Sequence, residues 1–217
     1  KPKGTPRIYS WEDVSPFVRQ TSISTRALAI ICYKYIFCLH NILDLVIRYL
    51  VPNRAKILFV GINPHFGSYA KGVPFSNNKT FWYNLSKAGI IKEPVSLLKS
   101  DKELKRFYYT KFEKYGLGFT NLVDRPSRDV SQLIKGEEGK GVRRLCQIVK
   151  RKKPKIVCFI GRITYQKFTG ANNFKFGFQK QKLFDSKVFV ARFPIRGPSA
   201  IRIRELRKIN RETGRYV

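Results

Sequence analysis

The sequence predicts an α/β fold built around a mainly parallel sheet of four strands. Four short runs rich in Val, Ile and Phe recur along the chain, and continuous apolar runs are typical of strands covered on both faces. Helical stretches separate these runs, and such alternation favours a parallel sheet. The chain has 217 residues, 43% of them apolar, which is enough for one domain with a sizeable core.

The predicted elements follow one another in a simple order. Strands are predicted at residues 56–61 (KILFVG), 117–122 (LGFTNL), 155–161 (KIVCFIG) and 187–193 (KVFVARF). Helices are predicted at residues 78–89, 100–113, 139–152, 162–169 and 199–211. Residues 27–50 predict one or two buried or amphipathic helices rather than a membrane span, because charged side chains interrupt the apolar run. Ligands of such sheets bind beyond the carboxyl ends of the strands, so the loops that start at residues 61, 121, 161 and 193 should gather there.

The charge of the chain predicts a polyanionic partner. Lys and Arg number 44 against 14 Asp and Glu, which gives a net charge of +30 spread along the whole chain. Nucleic acid is the first partner to consider and an anionic membrane the second, while basicity without any partner is the third interpretation. We expect DNA and no membrane.

The cysteines do not indicate a metal site. Cys32, Cys38, Cys146 and Cys158 form no C-x-x-C pair, and Cys158 falls inside a predicted strand. Buried, reduced thiols are therefore expected, which favours an intracellular protein. The sequence also lacks G-x-G-x-x-G and G-x-x-x-x-G-K-[ST], so neither a metal nor a cofactor is expected.

Three blocks of the sequence, in order, resemble one family. The segment GINPHFGSYAKGVPFSNNKTFWYNLSKAGI is similar to the first motif of the mismatch-specific uracil and thymine DNA glycosylases, in which a strand ends in G-I-N-P-G and is followed by G-x-P-F and N-x-F-W. TNLVDRPS resembles a second signature of that family, and KIVCFIGRITYQKF resembles its third strand and helix. The resemblance covers residues 41–212.

The resemblance implies the three-layer α/β/α sandwich of the uracil-DNA glycosylase superfamily over residues 41–212. A basic arm and helical extension at residues 1–40 would precede this domain, and a tail at residues 213–217 would follow it. The implied activity is base flipping and hydrolysis of the N-glycosidic bond of uracil, with thymine or a modified pyrimidine as further substrates, especially opposite G. The implied substrate is mismatched or damaged double-stranded DNA, or single-stranded DNA, in base excision repair. The resemblance also implies a monomer, located in the nucleus of a eukaryote or in the cytoplasm or nucleoid otherwise.

The same resemblance assigns roles to residues of the first block. Asn63 would be the catalytic residue that holds a water near C1′ of the flipped nucleotide. The backbone around Ile62 would bind the base edge, Phe75 would stack on the pyrimidine, and Ser68 would lie near its 5-position. From the residues alone, the alternative for Asn63 is a turn residue before Pro64, and the alternative for Phe75 is an aromatic residue of the core. Phe81 and Trp82 are expected in the core.

The chain departs from the family at two places. His65 replaces the Gly that follows N-P, where it would contact a phosphate, tune or narrow the pocket, or have no role. The last loop, FPIRGPSAIR, lacks the family's Asn. One alignment places Arg196 and Pro198 at its tip, and the other places Ile201 and Arg202 there. The residue at the tip would be the wedge that enters the DNA stack. The expected DNA contacts are Lys71, Arg125, Arg196, Gly197, Ser199, Ile201 and Arg202. Asp124 is expected to brace its loop through Arg125.

Two further interpretations remain open. A glycosylase-fold protein that has lost catalysis would use the same charge to bind DNA or RNA. An enzyme acting on free nucleotides is disfavoured, because a small substrate does not require a charge of +30. The basic stretch KRKKPK at residues 150–155 precedes a predicted strand, at the end of the sheet opposite the expected site. Three interpretations are open for it: a localisation patch, a nucleic-acid contact or a solvated turn.

Overall fold

A computed structural model describes residues 47–195 and 197–214 and shows an α/β fold with a mainly parallel sheet. The strands are β1 (Ile57–Gly61), β2 (Leu117–Asn121), β3 (Ile156–Ile160), β4 (Gly177–Phe178) and β5 (Lys187–Ala191), in the order β2-β1-β3-β5-β4. The four predicted strands are confirmed as β1, β2, β3 and β5, all parallel. The predicted number of four is wrong by one, because the two-residue β4 pairs antiparallel with β5 at the edge.

The helices are α1 (Phe66–Ala70), α2 (Thr80–Lys87), α3 (Val95–Leu98), α4 (Asp101–Thr110), α5 (Glu138–Lys152), α6 (Arg162–Thr169) and α7 (Ser199–Gly214). Short 3₁₀ turns occur at Glu113–Tyr115 and Val130–Gln132. The five predicted helices are confirmed as α2, α4, α5, α6 and α7. Helix α4 ends at Thr110, short of its predicted end at residue 113. A 3₁₀ segment at Glu113–Tyr115 follows it, and Gly116 ends this segment in the left-handed conformation.

Two hydrophobic clusters lie on the two faces of the sheet. On one face, Phe59 and Cys158 pack with Trp82 of α2 and Ile209 of α7. On the other face, Val60, Val157 and Val190 pack with residues of α5 and α6. Because every residue of β1, β2 and β3 is buried, these strands read as continuous apolar runs rather than alternating ones.

The segment before β1 is extended and lies along β2, whose Phe119 donates a backbone hydrogen bond of 2.7 Å to the Leu50 carbonyl. The helices predicted within residues 27–50 therefore do not include residues 47–50, and the rest of that prediction, like the extension at 1–40, lies outside the described residues. Within residues 47–195 and 197–214, no helix is both long and apolar enough to cross a membrane.

Candidate active site

The carboxyl ends of the parallel strands meet at one edge of the sheet, as predicted. Gly61 of β1 is opposite Asn121 of β2, and Ile160 of β3 is opposite Ala191 of β5. The loops that follow these strands are thereby brought together. A Cβ at Gly61 would lie 2.2 Å from Oδ1 of Asn121, so a larger residue would displace that side chain from its hydrogen bond with Tyr49.

Backbone hydrogen bonds join the loop after β1 to the loop after β2. Leu122 donates to the Gly61 carbonyl at 3.0 Å, Val123 to the Ile62 carbonyl at 2.8 Å, and Ser127 to the Pro64 carbonyl at 3.1 Å. Ile62 is buried, and its carbonyl accepts one of these hydrogen bonds. The two loops form one unit that encloses Asn63.

The side-chain amide of Asn63 is fixed in one orientation. Its Nδ2 donates to Oγ of Ser127 at 2.8 Å and to the Pro64 carbonyl at 3.1 Å. A carbonyl only accepts, so the NH₂ group must face this side. The Ser127 hydroxyl donates in turn to the Asp129 carbonyl at 2.8 Å, which leaves a lone pair for Asn63. No residue that the structure describes donates to Oδ1 of Asn63, so this oxygen is available to accept a hydrogen bond from a water.

Sequence reasoning did not single out Ser127. It is the last residue of the TNLVDRPS block. Its contact with Asn63 spans 64 positions of the chain, and no local pattern predicts a contact of that range. The signal available in the sequence was the hydroxyl at the end of a block that follows a buried strand.

Phe75 combines a half-buried ring with a strained backbone. Its φ of 54° lies in the left-handed region, which costs a bulky residue about 1–3 kcal/mol. The ring packs on Phe81 at a centroid distance of 4.8 Å, on Phe119 at 5.6 Å and on Phe193 of the last loop at 6.1 Å. Phe75 therefore touches the core on one side and joins the first and last loops of the site.

Three side-chain hydrogen bonds stabilise the loop that carries Phe75. Trp82 Nε1 donates to the Pro74 carbonyl at 2.8 Å, Ser76 Oγ to the Val73 carbonyl at 2.7 Å, and the Tyr109 hydroxyl to the Gly72 carbonyl at 2.6 Å. Trp82 and Phe81 are buried, which confirms their predicted place in the core. Phe81 and Trp82 thus support the loop of Phe75 from the core and do not line the site.

Ser68 and His65 hold the short helix α1. Ser68 is buried, and its hydroxyl accepts from the Asn77 backbone at 3.0 Å, which closes the loop on itself. His65 is exposed and caps α1, with Nδ1 accepting from the Gly67 backbone at 3.0 Å. This hydrogen bond requires Nδ1 to be unprotonated, so the neutral imidazole carries its proton on Nε2.

Two of the expected DNA-contacting cations form salt bridges with carboxylates. Lys71 Nζ lies 3.0 Å from Oδ2 of Asp101. Arg125 makes a bidentate contact with Glu137, with Nε 2.7 Å from Oε1 and Nη2 2.8 Å from Oε2. The expectation that Asp124 pairs with Arg125 is wrong, because Asp124 pairs with Arg144 of α5 instead.

Of the four candidate wedge residues in the last loop, Pro198 and Ile201 are exposed and Arg202 is buried. Arg202 is buried, and its Nη1 donates to the Gly197 carbonyl at 2.6 Å, which holds the loop from inside. Ile201 is 36% exposed and Ile195 is 48% exposed, and Ser199 is exposed at the start of α7. Arg196 lies outside the described residues. In this conformation the exposed apolar side chains, rather than Arg202, have the position of a wedge.

No group of three or more metal-ligating side chains occurs within the described part of the chain. Of the cysteines described, Cys146 is partly buried and Cys158 is fully buried, and neither forms a disulfide. Burial raises the pKa of the Cys158 thiol, so it is not a nucleophile. The loops bring together amides, hydroxyls, aromatic rings, cations and the imidazole of His65, while the carboxylates of Asp124 and Glu137 are each paired with an arginine.

Comparison with known proteins places the chain in a family. Residues 48–213 match the family model of the Uracil DNA glycosylase superfamily. A relative from Schizosaccharomyces pombe (strain 972 / ATCC 24843), the G/U mismatch-specific uracil DNA glycosylase, is 34% identical over 152 residues, which are 65% of this chain and 44% of the relative. The match thus covers less than half the length of that protein. Because the family match includes all five strands and the loops described above, the chain belongs to the uracil-DNA glycosylase superfamily.

Proposed function

We propose that the chain is a monofunctional DNA glycosylase that removes uracil from DNA, with uracil opposite G as its preferred substrate. The observation that carries this proposal is the fixed orientation of Asn63, whose Oδ1 faces away from Ser127 and Pro64. Membership of the superfamily and likeness to a G/U mismatch-specific glycosylase support it. Thymine and modified pyrimidines are secondary substrates under the same proposal.

The proposed reaction needs little acid or base strength. The nucleotide leaves the stack, and its base packs on Phe75. The glycosidic bond breaks largely before water attacks, and the base departs with the bonding electrons as an anion that backbone N–H groups of the loop stabilise. A water that donates to Oδ1 of Asn63 then adds its oxygen to C1′, and its proton leaves to solvent or to the base. The products are free uracil and an abasic site.

The proposed DNA contacts follow from the placement of the basic and exposed residues around the site. Lys71 and Arg125 would exchange their carboxylate partners, Asp101 and Glu137, for phosphates. Ile201 or Ile195 would enter the gap left by the flipped base, while Gly197 and Ser199 approach the backbone, with Arg196 beside them. His65 would lie at the mouth of the pocket, and Ser68 would limit it near the pyrimidine 5-position.

The proposal extends to architecture and context. The two hydrophobic clusters on opposite faces of the sheet support a three-layer α/β/α sandwich within residues 41–212, preceded by the arm at 1–40. The tail proposed at 213–217 begins within α7, which continues to Gly214. The enzyme would act as a monomer in base excision repair, in the nucleus of a eukaryote or otherwise in the cytoplasm or nucleoid. No metal or cofactor enters the proposed reaction.

The test is a single-turnover incubation with duplexes carrying U·G, T·G or U·A and with single-stranded U, followed by hot alkali to cut abasic sites. We expect strand scission with U·G fastest and T·G slower. Tight, salt-sensitive binding with every substrate intact would overturn the proposal and favour the glycosylase-fold DNA-binding protein instead.

A further inference from the structure

The end of the sheet opposite the site carries a dense group of exposed cations. They belong to the segments that precede β1, β2 and β3, and we call them the basic pole: Arg54, Lys56, Lys114, Lys150, Arg151 and Lys153. Backbone hydrogen bonds join these segments, since Arg54 donates to the Lys152 carbonyl at 2.7 Å and Lys56 to the Gly116 carbonyl at 2.7 Å. The basic pole is therefore one continuous surface rather than three separate turns.

Little negative charge offsets the basic pole. None of the salt bridges between described residues includes any of its six cations. Exposed Glu113 and Asp185 are the carboxylates on the adjoining turns, and Glu212 is bound to Lys187 at 2.5 Å. The positive potential of this surface is thus available to an anionic partner.

Two cations of the basic pole occupy positions that disfavour them. Arg54 has a φ of 52° and Lys153 a φ of 47°, and the left-handed conformation costs a non-glycine residue about 1–2 kcal/mol. Lys153 follows the last turn of α5, where glycine or asparagine is usual. A third such residue, Phe184 with a φ of 53°, is 52% exposed on the turn that leads into β5. Gly or Asn would adopt these conformations at lower cost, so the backbone does not favour Arg54 and Lys153 at their positions.

The basic pole lies at the amino ends of the parallel strands and the site beyond their carboxyl ends, so a straight duplex that lies across the site does not cover the basic pole. The five residues of β1 alone span about 16 Å, and the site and the basic pole lie beyond its opposite ends. One duplex could contact both ends of the sheet only by bending around the protein, which costs free energy because the persistence length of DNA is about 50 nm. We propose that the basic pole binds the phosphate backbone of a second DNA duplex while the first occupies the site. This inference rests on the proposed function only for the placement of the first duplex.

The chemistry of the basic pole fits phosphates better than a lipid surface. Its cations sit on turns and on the last turn of α5, whose apolar side is buried in the core through Leu145 and Val149. An interfacial helix would instead need an exposed apolar face beside its charges. Contacts to phosphates by Lys and Arg carry no sequence preference, so any duplex would serve.

The test measures whether one protein molecule bridges two duplexes. A duplex fixed on beads captures a fluorescent duplex in the presence of the full chain, and we compare the wild type with the triple variant Arg54→Asn, Lys56→Gln and Lys153→Asn. Asn tolerates the left-handed conformation, so the fold should be retained. The control variant removes the same charge from exposed residues elsewhere: Lys87→Gln, Lys99→Gln and Lys102→Gln.

We expect the variant of the basic pole to lose at least tenfold in bridging, with the control within twofold of the wild type. Its cleavage of one short U·G duplex should be unchanged. The slope of log affinity against log salt concentration for bridging should become shallower by the equivalent of about three phosphate contacts. Three results would overturn the inference. They are equal bridging by the wild type and the variant of the basic pole, an equal loss of bridging in the control variant, and capture of anionic vesicles but not of DNA. A wild type that bridges duplexes without cleaving any substrate would contradict the proposed function and leave this inference standing.

Discussion

Nδ2 of Asn63 lies 2.8 Å from Oγ of Ser127, and this contact joins the loops that follow the two neighbouring strands β1 and β2. Ser127 is itself held by the Pro64 and Asp129 carbonyls. An amide that is free to turn would also present its NH₂ group to a water. The contact with Ser127 removes that alternative and presents Oδ1.

Ser127→Ala should slow glycosidic cleavage about tenfold, because losing a hydrogen bond of about 1–2 kcal/mol lets the Asn63 amide leave its productive orientation. Affinity for the U·G duplex should stay within twofold. Single-turnover rates at saturating enzyme separate the two quantities.

Two variants control for this effect. Ser127→Thr keeps the hydroxyl and should restore most of the rate, and Ser131→Ala removes an exposed hydroxyl nearby and should change nothing. A full rate for Ser127→Ala would show that Ser127 does not position Asn63.

Phe75→Leu should lower the cleavage rate by tenfold or more, because stacking of a base on an aromatic ring is worth about 1–3 kcal/mol. Phe75→Tyr should keep most of the rate. Phe184→Leu is the matched control, since Phe184 has nearly the same φ, 53° against 54°, but lies at the other end of the sheet. If Phe75→Leu and Phe184→Leu behaved alike, Phe75 would be a core aromatic only.

Trp82→Phe should destabilise the protein by about 1–3 kcal/mol, since it leaves the buried Pro74 carbonyl without its donor. The loop that holds Phe75 in its strained conformation should relax, and cleavage should fall even where the variant is fully folded. Urea unfolding and single-turnover rates measure both effects. An unchanged free energy of unfolding would exclude this role for the indole.

Acid should weaken the loop between residues 125 and 137. The hydrogen bonds from Arg125, together with that from the Ile134 backbone, lower the pKa of Glu137 from 4.5 to about 2. A carboxyl with a depressed pKa contributes its stability above pH 4.5 and loses it progressively as the pH falls towards 2. Glu137→Gln should therefore remove part of the acid dependence of unfolding over this range. The same acid dependence in both proteins would contradict this assignment.

The strands and long helices were predictable because burial on both faces leaves a local trace. The runs KILFV and KIVCFI are apolar at every position that the sheet covers. Helices α1 and α3, of five and four residues, are too short to show a helical period, and both were missed. Strand β4 was also missed, because a two-residue edge strand depends on its neighbour β5 rather than on its own sequence.

The residues of the site were predictable by resemblance, but their contacts were not. Asn63 and Phe75 lie in segments that resemble motifs of the family, whereas the orientation of Asn63 depends on a hydroxyl in another loop. Arg125 was expected beside Asp124 because they are adjacent in sequence, but the helix α5 brings Arg144 to Asp124 and leaves Arg125 to Glu137. The left-handed backbone at Phe75 likewise has no signature in the sequence.

The most direct test of the account is the cleavage rate of Asn63→Ala on a U·G duplex, measured with its affinity for the same DNA. Removing the amide removes the acceptor for the attacking water and leaves the basic surface intact. We predict a loss of at least a hundredfold in single-turnover cleavage with affinity within threefold of the wild type. Cleavage at the wild-type rate by this variant would show that Asn63 is not the catalytic residue and would contradict the account.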